Sequence, residues 1–386
     1  MTLNLTSSGR HAKPVAGEQD STAGTRKVPD GFVLGVATAA YQIEGARRED
    51  GRADSIWDTF SHSPGVVVNG DTGDIACDHY HRYPGDVALM KSLGVQSYRF
   101  STSWARVCPD GRTLNPKGLD FYERLVDSLL DAGITPWLTL YHWDLPQALE
   151  DRGGWPVRET ADRFVDYALA VHDRLGDRVS TWTTLNEPWC SAFVGYTSGE
   201  HAPGRQSPSD GLAAAHHLML GHGQAVAALR ERDPSLKLGL TLNFTVADPV
   251  DPSNPSDIEA ARRIDGQMNR IFLDPIFRGE YPTDVLEDVR GLGLETHIRD
   301  GDLATIATPI DVLGVNYYNG GAFSHLPPLS ALNAVPATSR PTRSPFPAAD
   351  GVHGHPRGLP VTSMDWEVQP EGLTRLLVRL HEEYTG

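Results

Sequence analysis

The sequence predicts a parallel α/β fold made of repeated strand–helix units. Short apolar and β-branched runs alternate with segments of helical periodicity along most of the chain, and this alternation favours parallel strands joined by helices. Most of these runs also end in side chains that can bind hydroxyl or carboxylate groups. Functional groups of α/β barrels lie at the carboxyl ends of the strands, so we expect a barrel-like fold with a site at that end.

The strand-like and helix-like segments follow one another in order from residue 28. The predicted strands cover residues 28–40, 94–101, 135–142, 181–187, 237–244 and 310–318. The predicted helices cover residues 86–93, 119–132, 160–175, 211–232, 258–273 and 372–383. The first strand is expected to be buried. A closed barrel of this kind needs eight strands, so we expect two β/α units to be absent from this sequence.

Two stretches lack periodicity. Residues 1–27 are rich in Ser, Thr, Gly and charge, which predicts a disordered leader before an incomplete barrel domain of residues 28–386. Residues 319–362 are rich in Pro, Ser, Ala and Gly. They are predicted to form a long loop over the mouth of the barrel.

Composition narrows the possible partners. The net charge of −16 argues against nucleic acid and anionic membranes. No apolar run approaches the roughly 20 residues that span a bilayer, and the N-terminus does not resemble a signal peptide. The odd count of 3 cysteines argues against a disulfide framework. We therefore expect a cytoplasmic protein without membrane or nucleic-acid partners, and the oligomeric state stays open.

The most informative segment is Thr-Trp-Thr-Thr-Leu-Asn-Glu-Pro-Trp at residues 181–189. Its first part favours a strand, and Pro188 ends the ladder because it has no N–H to donate. Asn186 and Glu187 are therefore expected at the tip of a strand. A carboxyl beside an amide suits general acid/base chemistry on a polar substrate, whereas the alternative is a surface turn that happens to contain Glu.

Other strand ends carry groups of the same kind. They are Gln42, Arg99, His142, Trp143, Asn316, Tyr317 and Tyr318. Each also has a structural interpretation: His142 as a core histidine, Trp143 as packing, and Arg99 as half of an ion pair. A charge inside a strand is costly unless it is paired, so we expect a carboxylate near Arg99. Only one of the two tyrosines can face the interior.

Several long motifs make the sequence recognisable. They are FVLGVATAAYQIEG (32–45), SYRFSTSW (97–104), LYHWDLP (140–146), TLNEP (184–188) and LGVNYY (313–318), with WDTF (57–60), ACDHY (76–80) and WEVQPEGL (366–373). With these motifs the chain resembles glycoside hydrolase family one, the β-glucosidase family. The resemblance covers about residues 28–386 and implies a (β/α)8 TIM barrel and retaining hydrolysis of β-linked glycosides. The implied substrate is a small β-glucoside or a cello-oligosaccharide, as in cellulose degradation, without a cofactor.

The resemblance also assigns residue roles. Glu187 would be the acid/base. Gln42, His142 and Asn186 would hydrogen-bond sugar hydroxyls, and Trp143 would pack beside the sugar. Arg99 and Tyr318 would hold the nucleophile, and Asn316 and Tyr318 are also placed among the substrate contacts.

One departure from the family pattern is large. The family's nucleophile lies in a Thr-Glu-Asn-Gly motif on strand seven, and this sequence does not contain that motif. The chain therefore resembles a C-terminally truncated β-glucosidase, which we expect to be inactive alone. The alternatives are a 6-phospho-β-glucosidase, a β-galactosidase or β-fucosidase, and a non-catalytic sugar-binding fragment. A metal-dependent hydrolase would need ligands such as His79 with His81 or His216 with His217, and no metal is expected.

Overall fold

The computed structural model describes residues 28–328 and 341–385. Residues 34–386 form one compact unit, and residues 1–33 form a separate unit of which only 28–33 are described. The predicted leader, residues 1–27, lies outside the described residues. So do residues 329–340, which belong to the predicted long loop.

The main sheet is made of parallel strands. The nine strands of the described residues are β1 (Gly35–Ala37), β2 (Ser97–Ser101), β3 (Thr135–Tyr141), β4 (Thr181–Asn186), β5 (Lys237–Phe244), β6 (Ala247–Pro249), β7 (Val312–Tyr317), β8 (Gly321–Ser324) and β9 (His353–His355). Six of them form one sheet in the order β1-β2-β3-β4-β5-β7, and every pairing is parallel. The predicted succession of six parallel strands is confirmed.

Helices connect these strands. They are α1 (Ala40–Ile43), α2 (Ile56–Ser61), α3 (His79–Ser92), α4 (Trp104–Val107), α5 (Pro116–Asp131), α6 (Gln147–Glu150), α7 (Glu159–Leu175), α8 (Pro208–Arg232), α9 (Pro255–Asp265), α10 (Ile271–Arg278), α11 (Thr283–Asp288), α12 (Asp302–Ile306) and α13 (Pro370–Leu380). Four of the longer helices, α5, α8, α9 and α13, begin with proline, which fits the first helical position because an N–H at that position would have no partner within the helix. The Ser207 side chain also accepts a bond from the Asp210 N–H and caps α8.

The sequence pattern explains which face of each strand is buried. In β2, Tyr98 and Phe100 are 1% and 2% exposed, while Arg99 between them points to the other face. At the pairing of β5 with β7, a side chain at Gly239 would lie 1.8 Å from the main-chain oxygen of Val312. Only glycine allows the two strands to approach there.

Three predictions need correction. β1 is short and exposed rather than buried, because it is an outer strand that pairs only with β2. The predicted helix 258–273 is α9 and α10 separated by a π-helical segment, Gly266–Arg270. Residues 319–362 are not wholly loop, because β8 and β9 in this stretch pair with β6 in a second, 3-stranded sheet.

The two outer strands of the main sheet differ from its interior. Every residue of β7 is half-buried and every residue of β1 is exposed, whereas the residues of β3 from Leu138 to Tyr141 are at most 1% exposed. Within the described part of the chain, no helix combines the length and apolarity that a membrane crossing needs.

Candidate active site

The carboxyl ends of four strands bring the predicted polar groups together. Arg99 comes from β2, His142 follows β3, Asn186 ends β4 and Asn316 lies in β7. The pairing of β4 with β5 shifts register between Thr183 and Asn186. Irregularities of this kind re-aim side chains next to active sites, and here Asn186 turns towards Arg99.

Glu187 lies immediately after β4 in an unusual backbone conformation. Its φ is 50°, a left-handed value that costs a non-glycine residue about 1–3 kcal/mol. Its N–H donates to the Thr241 oxygen at 2.8 Å, and its own carbonyl accepts from the Cys190 N–H at 3.0 Å. Main-chain bonds on both sides therefore hold the strained residue, which is only 4% exposed.

The Glu187 carboxyl has a different partner on each oxygen. The Asn316 amide donates to Oε1, and the Cys190 thiol donates to Oε2 at 3.3 Å. Burial raises the pKa of Glu187, and the two hydrogen bonds together with the positive charge of Arg99 oppose that rise. A carboxyl with a raised pKa can hold a proton near neutral pH and act as a general acid.

Arg99 is paired differently from the prediction. Its guanidinium donates to Thr139 Oγ1 at 2.9 Å and to Asn186 Oδ1 at 2.8 Å, and no ion pair joins it to a carboxylate among the described residues. Glu187 acts on it only as a nearby charge, and burial lowers the pKa of Arg99 to about 10. The expected carboxylate, Glu187, is therefore nearby, but it makes no ion pair with Arg99, and neutral acceptors on β3 and β4 take the hydrogen bonds of the cation.

The Arg99 guanidinium determines which atoms of Asn186 and His142 donate hydrogen bonds and which accept them. Because Arg99 can only donate, Asn186 presents its oxygen to Arg99 and its amide nitrogen to His142 Nε2, 3.2 Å away. His142 therefore accepts at Nε2 and carries its hydrogen on Nδ1. Burial and the charge of Arg99 lower the pKa of His142 to about 3, so the ring is neutral, and Nδ1 is buried without a partner.

Trp143 is attached to the same asparagine. Its indole N–H donates to the main-chain oxygen of Asn186 at 2.9 Å, and its φ is 76°. The two residues that follow β3 thus both hydrogen-bond Asn186: His142 bonds to its side chain and Trp143 bonds to its main chain.

A cavity of about 340 Å³ lies beside these groups. Its wall includes Gln42, His142 and Trp143, together with the aromatic rings of Tyr41 and Trp57. The His201 ring is tilted against both indoles, and its centroid lies 5.3 Å from that of Trp57 and 5.5 Å from that of Trp143. Mixed aromatic walls with a few polar groups are typical of small-molecule pockets.

Tyr317, the last residue of β7, and Tyr318, which follows it, point in different directions, as the alternation predicts. The Tyr317 hydroxyl donates to the Gln369 oxygen at 3.0 Å, away from the site. Tyr318 is 58% exposed, and its ring contacts Trp366 at a centroid distance of 5.3 Å. Burial and the charge of Glu187 raise the pKa of Tyr318, so Tyr318 lies on the side of Glu187.

Sequence reasoning missed three contributors to this site: Thr139, Cys190 and Trp57. Trp57 lies in a motif that was recognised but not given a role. Thr139 pairs with Ser101 of β2 and Thr183 of β4, and strand periodicity could have placed it on the same face of the sheet as Arg99. Nothing in the sequence indicates the Cys190 contact, because it depends on the turn at Glu187.

The histidine pairs considered as metal ligands lie elsewhere. His79 and His81 belong to the first turn of α3 rather than to a loop. His216 hydrogen-bonds Tyr281 and Asp302. In the parts of the chain that the structure describes, no group of three or more His, Cys, Asp or Glu residues is arranged to hold a metal ion.

Comparison with known proteins gives the family. The model of glycosyl hydrolase family 1 matches residues 24–386. The chain belongs to glycosyl hydrolase family 1. Among similar family 1 proteins, thermostable β-glucosidase B of Thermobispora bispora is 51% identical over 370 residues, which cover 94% of this chain and 72% of that protein. The bifunctional β-D-glucosidase/β-D-fucosidase of Bifidobacterium breve is 47% identical over 93% of this chain and 76% of its own length.

Solved family 1 structures have the same fold. The psychrophilic β-glucosidase of Micrococcus antarcticus has a TM-score of 0.91 and 56% identity, and the match covers 93% of this chain and 76% of that chain. The Thermotoga maritima β-glucosidase in complex with castanospermine has a TM-score of 0.83 and 43% identity over 94% of this chain and 77% of that chain. The six parallel strands described here thus belong to the family 1 TIM-barrel fold.

Proposed function

We propose that this family 1 chain provides the sugar contacts and the acid/base, Glu187, for retaining hydrolysis of β-D-glucosides. The observation that supports this most directly is the buried carboxyl at the end of β4. Glu187 is 4% exposed, and burial raises its pKa. Relatives across 93–94% of the chain are named β-glucosidases.

In the proposed reaction, Glu187 first protonates the glycosidic oxygen as the aglycone leaves. A second carboxylate attacks the anomeric carbon and forms a glycosyl-enzyme intermediate. Glu187, now ionised, takes a proton from the water that hydrolyses this intermediate. The pKa must allow both states, which suits a carboxyl on which burial and hydrogen bonds act in opposite directions.

The sugar is proposed to lie between the cavity and Glu187. Gln42, His142 and Trp143 line that cavity, and Asn186 joins it to Glu187 through the His142 contact. His142 offers the unpartnered Nδ1–H as a donor, and Gln42 can both donate and accept. Trp143 supplies an apolar face beside the ring.

Arg99 and Tyr318 are proposed to support the nucleophilic carboxylate, with Asn316 in the same region. Among residues 28–328 and 341–385, no other carboxylate contributes to the pKa shift of Glu187. Within the same residues, Glu187 is the one carboxylate that contributes to the pKa shifts of Arg99 and Tyr318. We therefore propose that a polypeptide of residues 1–386 alone has little or no hydrolytic activity. Catalytic groups that act as a unit lose most of the rate when one is missing.

Sugar binding without turnover is the second candidate, and the lack of a second carboxylate near Glu187 favours it for the isolated polypeptide. Among close variants of the enzyme, β-fucosidase activity has the support of the bifunctional relative. β-Galactosidase activity remains a further variant. A 6-phospho-β-glucoside is a poorer fit, because the net charge of −16 disfavours an anionic sugar. A cytoplasmic location and a role in degrading cellulose-derived oligosaccharides belong to the same proposal.

The decisive experiment uses a chimera in which the C-terminal quarter of the Thermobispora bispora enzyme follows this chain. Glu187→Gln in the chimera should lower kcat/KM about 10²–10⁴-fold for a glucoside with a poor leaving group. It should lower kcat/KM less for an activated aryl glucoside, whose leaving group needs no proton. Glu200→Gln, at an exposed glutamate in the same segment, is the matched control. Equal losses on both substrates would refute the role of Glu187.

The unmodified polypeptide of residues 1–386 separates the two candidates. Calorimetry with an iminosugar and an assay with an aryl β-glucoside should give binding without appreciable turnover. Turnover close to that of the Thermobispora bispora enzyme would contradict the proposed inactivity, and the absence of binding would contradict the proposed sugar contacts.

A further inference from the structure

The two oxygens of the Glu187 carboxyl are not equivalent. Oε1 faces the Asn316 amide nitrogen, and Oε2 faces the Cys190 sulfur at 3.3 Å. The partners come from different elements. Asn316 belongs to β7, and Cys190 begins a π-helical segment, Cys190–Ser198, which is a form of helix that often occurs at functional sites.

Hydrogen-bond polarity decides which oxygen carries the proton. Arg99 donates to Asn186 Oδ1 at 2.8 Å, and the same Oδ1 lies 3.4 Å from Asn316 Nδ2. Asn316 therefore presents its NH₂ group on this side, and that group also meets Glu187 Oε1. An amide N–H facing Oε1 excludes a proton from that oxygen, so the neutral acid carries its hydrogen on Oε2.

We propose that Cys190 is a positioning residue for the acid/base, which partners Glu187 Oε2 in both of its protonation states. This inference deepens the proposed function and rests on it. When Glu187 is ionised, the thiol donates S–H to Oε2. When Oε2 is protonated, the sulfur accepts only weakly from Oε2–H, so the proton remains available to the departing oxygen.

The chemistry of a buried thiol suits this role. A thiol is a weak donor and a weak acceptor, so it does not compete strongly with the leaving group for the proton. Burial and the neighbouring Glu187 charge raise the pKa of Cys190 well above its usual range, so the thiol stays protonated and no bond at sulfur changes during the reaction. A stronger donor at this place would favour the carboxylate more and lower the pKa of Glu187, so that less of the carboxyl would hold a proton near neutral pH.

The other charged or titratable groups around Glu187 are Arg99 from β2 and Tyr318 next to β7. Arg99 favours the ionised form of Glu187, and an ionised Tyr318 would disfavour it. Neither touches Oε2 by a hydrogen bond within the described part of the chain. Cys190 is thus the group whose substitution changes the bonding of Oε2 alone.

The test measures the Glu187 pKa in the polypeptide of residues 1–386, without any need for turnover. The protein is labelled with ¹³C at glutamate carboxyls and titrated by NMR, and the Glu187→Gln spectrum assigns the signal. Cys190→Val, which removes the donor, should move the Glu187 pKa upward. Cys190→Ser, which restores a stronger donor, should move it to or below the wild-type value. The same two substitutions at the buried Cys108 are matched controls that should leave the Glu187 signal unchanged.

A second measurement does not depend on substituting Cys190. In a Cys77→Ser, Cys108→Ser protein the infrared S–H stretch comes from Cys190 alone. This band should shift as Glu187 titrates, and it should not respond to pH when Glu187→Gln is added. A band that ignores the titration, or a Glu187 pKa that is equal in the valine and wild-type proteins, would overturn the role of Cys190. If both spectroscopic results hold while the Glu187→Gln chimera keeps its activity, the proposed function fails and the contact stands.

Discussion

The interior strands of the main sheet and its outer strands place functional groups in different ways. In β3 and β4, Leu138, Trp182 and Leu185 are completely buried, and the Asn186 side chain at the end of β4 is hydrogen-bonded to Arg99 of β2 and to His142 after β3. In β1 and β7 the residues are exposed or half-buried, and Tyr318 after β7 is 58% exposed.

The difference indicates what fixes the geometry of the site. Arg99, His142 and Asn186 form one hydrogen-bonded chain that ends at interior strands. Tyr318 lacks such support on its outer side within the described residues. We expect substitutions on the interior strands to change stability and ligand geometry strongly, and equivalent substitutions on the outer strands to have small effects.

The largest effect is expected from breaking the buried ion pair near the interior. Arg106 Nε lies 3.0 Å from Glu44 Oε2, and Tyr122 donates to Glu44 Oε1 at 2.6 Å. Glu44→Gln leaves the fully buried guanidinium without a counter-charge and should lower the free energy of unfolding by about 3–5 kcal/mol. Denaturant unfolding measures the loss.

The matched control is the exposed pair of Glu287 and Arg290, 2.7 Å apart with side chains that are 64% and 72% exposed. Glu287→Gln should change the free energy of unfolding by less than about 1 kcal/mol. Similar losses in the two variants would contradict the distinction between interior and surface.

The next effect compares two strands directly. Leu138→Ala in β3 removes a side chain that is completely buried and should cost about 2–5 kcal/mol. Val36→Ala in β1, where the side chain is 41% exposed, should cost less than about 0.5 kcal/mol. Unfolding curves of the two variants give the two losses in the free energy of unfolding. A large loss for Val36→Ala would show that β1 is covered in solution.

A smaller effect is expected on ligand binding. Asn186→Ala removes the link between Arg99 and His142 and leaves a buried donor unpaired, so binding of an iminosugar should weaken about tenfold to a hundredfold. Tyr318→Phe, on the outer strand, should change the dissociation constant less than about threefold. Calorimetry on both variants checks this, and the reverse order would place the ligand nearer to β7 than to β4.

The smallest effect is a pH dependence. His222 is buried and hydrogen-bonded to Thr184 Oγ1 at 2.7 Å, and burial lowers its pKa to about 3. The unfolded chain takes up this proton near pH 6.5, so acidification from there should reduce stability by up to about 1.4 kcal/mol per pH unit from this group. His222→Asn keeps an amide for Thr184 and should reduce that slope between pH 6.5 and 4.5.

His81 gives a control of opposite sign. Hydrogen bonds to Asp78 and Glu49 raise the pKa of His81, so its contribution is present at low pH and is lost as the pH rises through the folded value. His81→Asn should therefore remove a gain of stability on acidification just above pH 6.5, between the unfolded and folded pKa values, and should leave the slope between pH 6.5 and 4.5 unchanged. Identical slopes in the two variants would contradict both assignments.

The sequence predicted the positions of strands best where a buried run also has the residue pattern of a strand. The strand β5 was predicted at its observed bounds, and β3 and β4 were predicted to within one residue, because their apolar and β-branched runs are typical of strands in a buried parallel sheet. The small sheet of β6, β8 and β9 was missed, because strands of 3 or 4 residues with Gly, Pro and His carry no such pattern.

Within the site, sequence periodicity predicted the strand ends but not the partners. The polar side chains at the strand ends do lie close together, but Arg99 forms its hydrogen bonds with Thr139 and Asn186 rather than with a carboxylate. The face of a strand follows from alternation, whereas a partner depends on the register between strands. The Cys190 contact depends on the left-handed turn at Glu187, which a sequence containing glutamate there does not predict.

The two bonds from the residues after β3 to Asn186 have a further consequence. The imidazole of His142 meets the side chain of Asn186 and the indole of Trp143 meets its backbone, so the ends of these neighbouring strands can move only together. A displacement of the loop that follows β3 would therefore be transmitted through these direct hydrogen bonds to Asn186, the residue that precedes Glu187. Substitutions in that loop should therefore alter the geometry at Glu187, the proposed proton donor, as well as ligand selectivity.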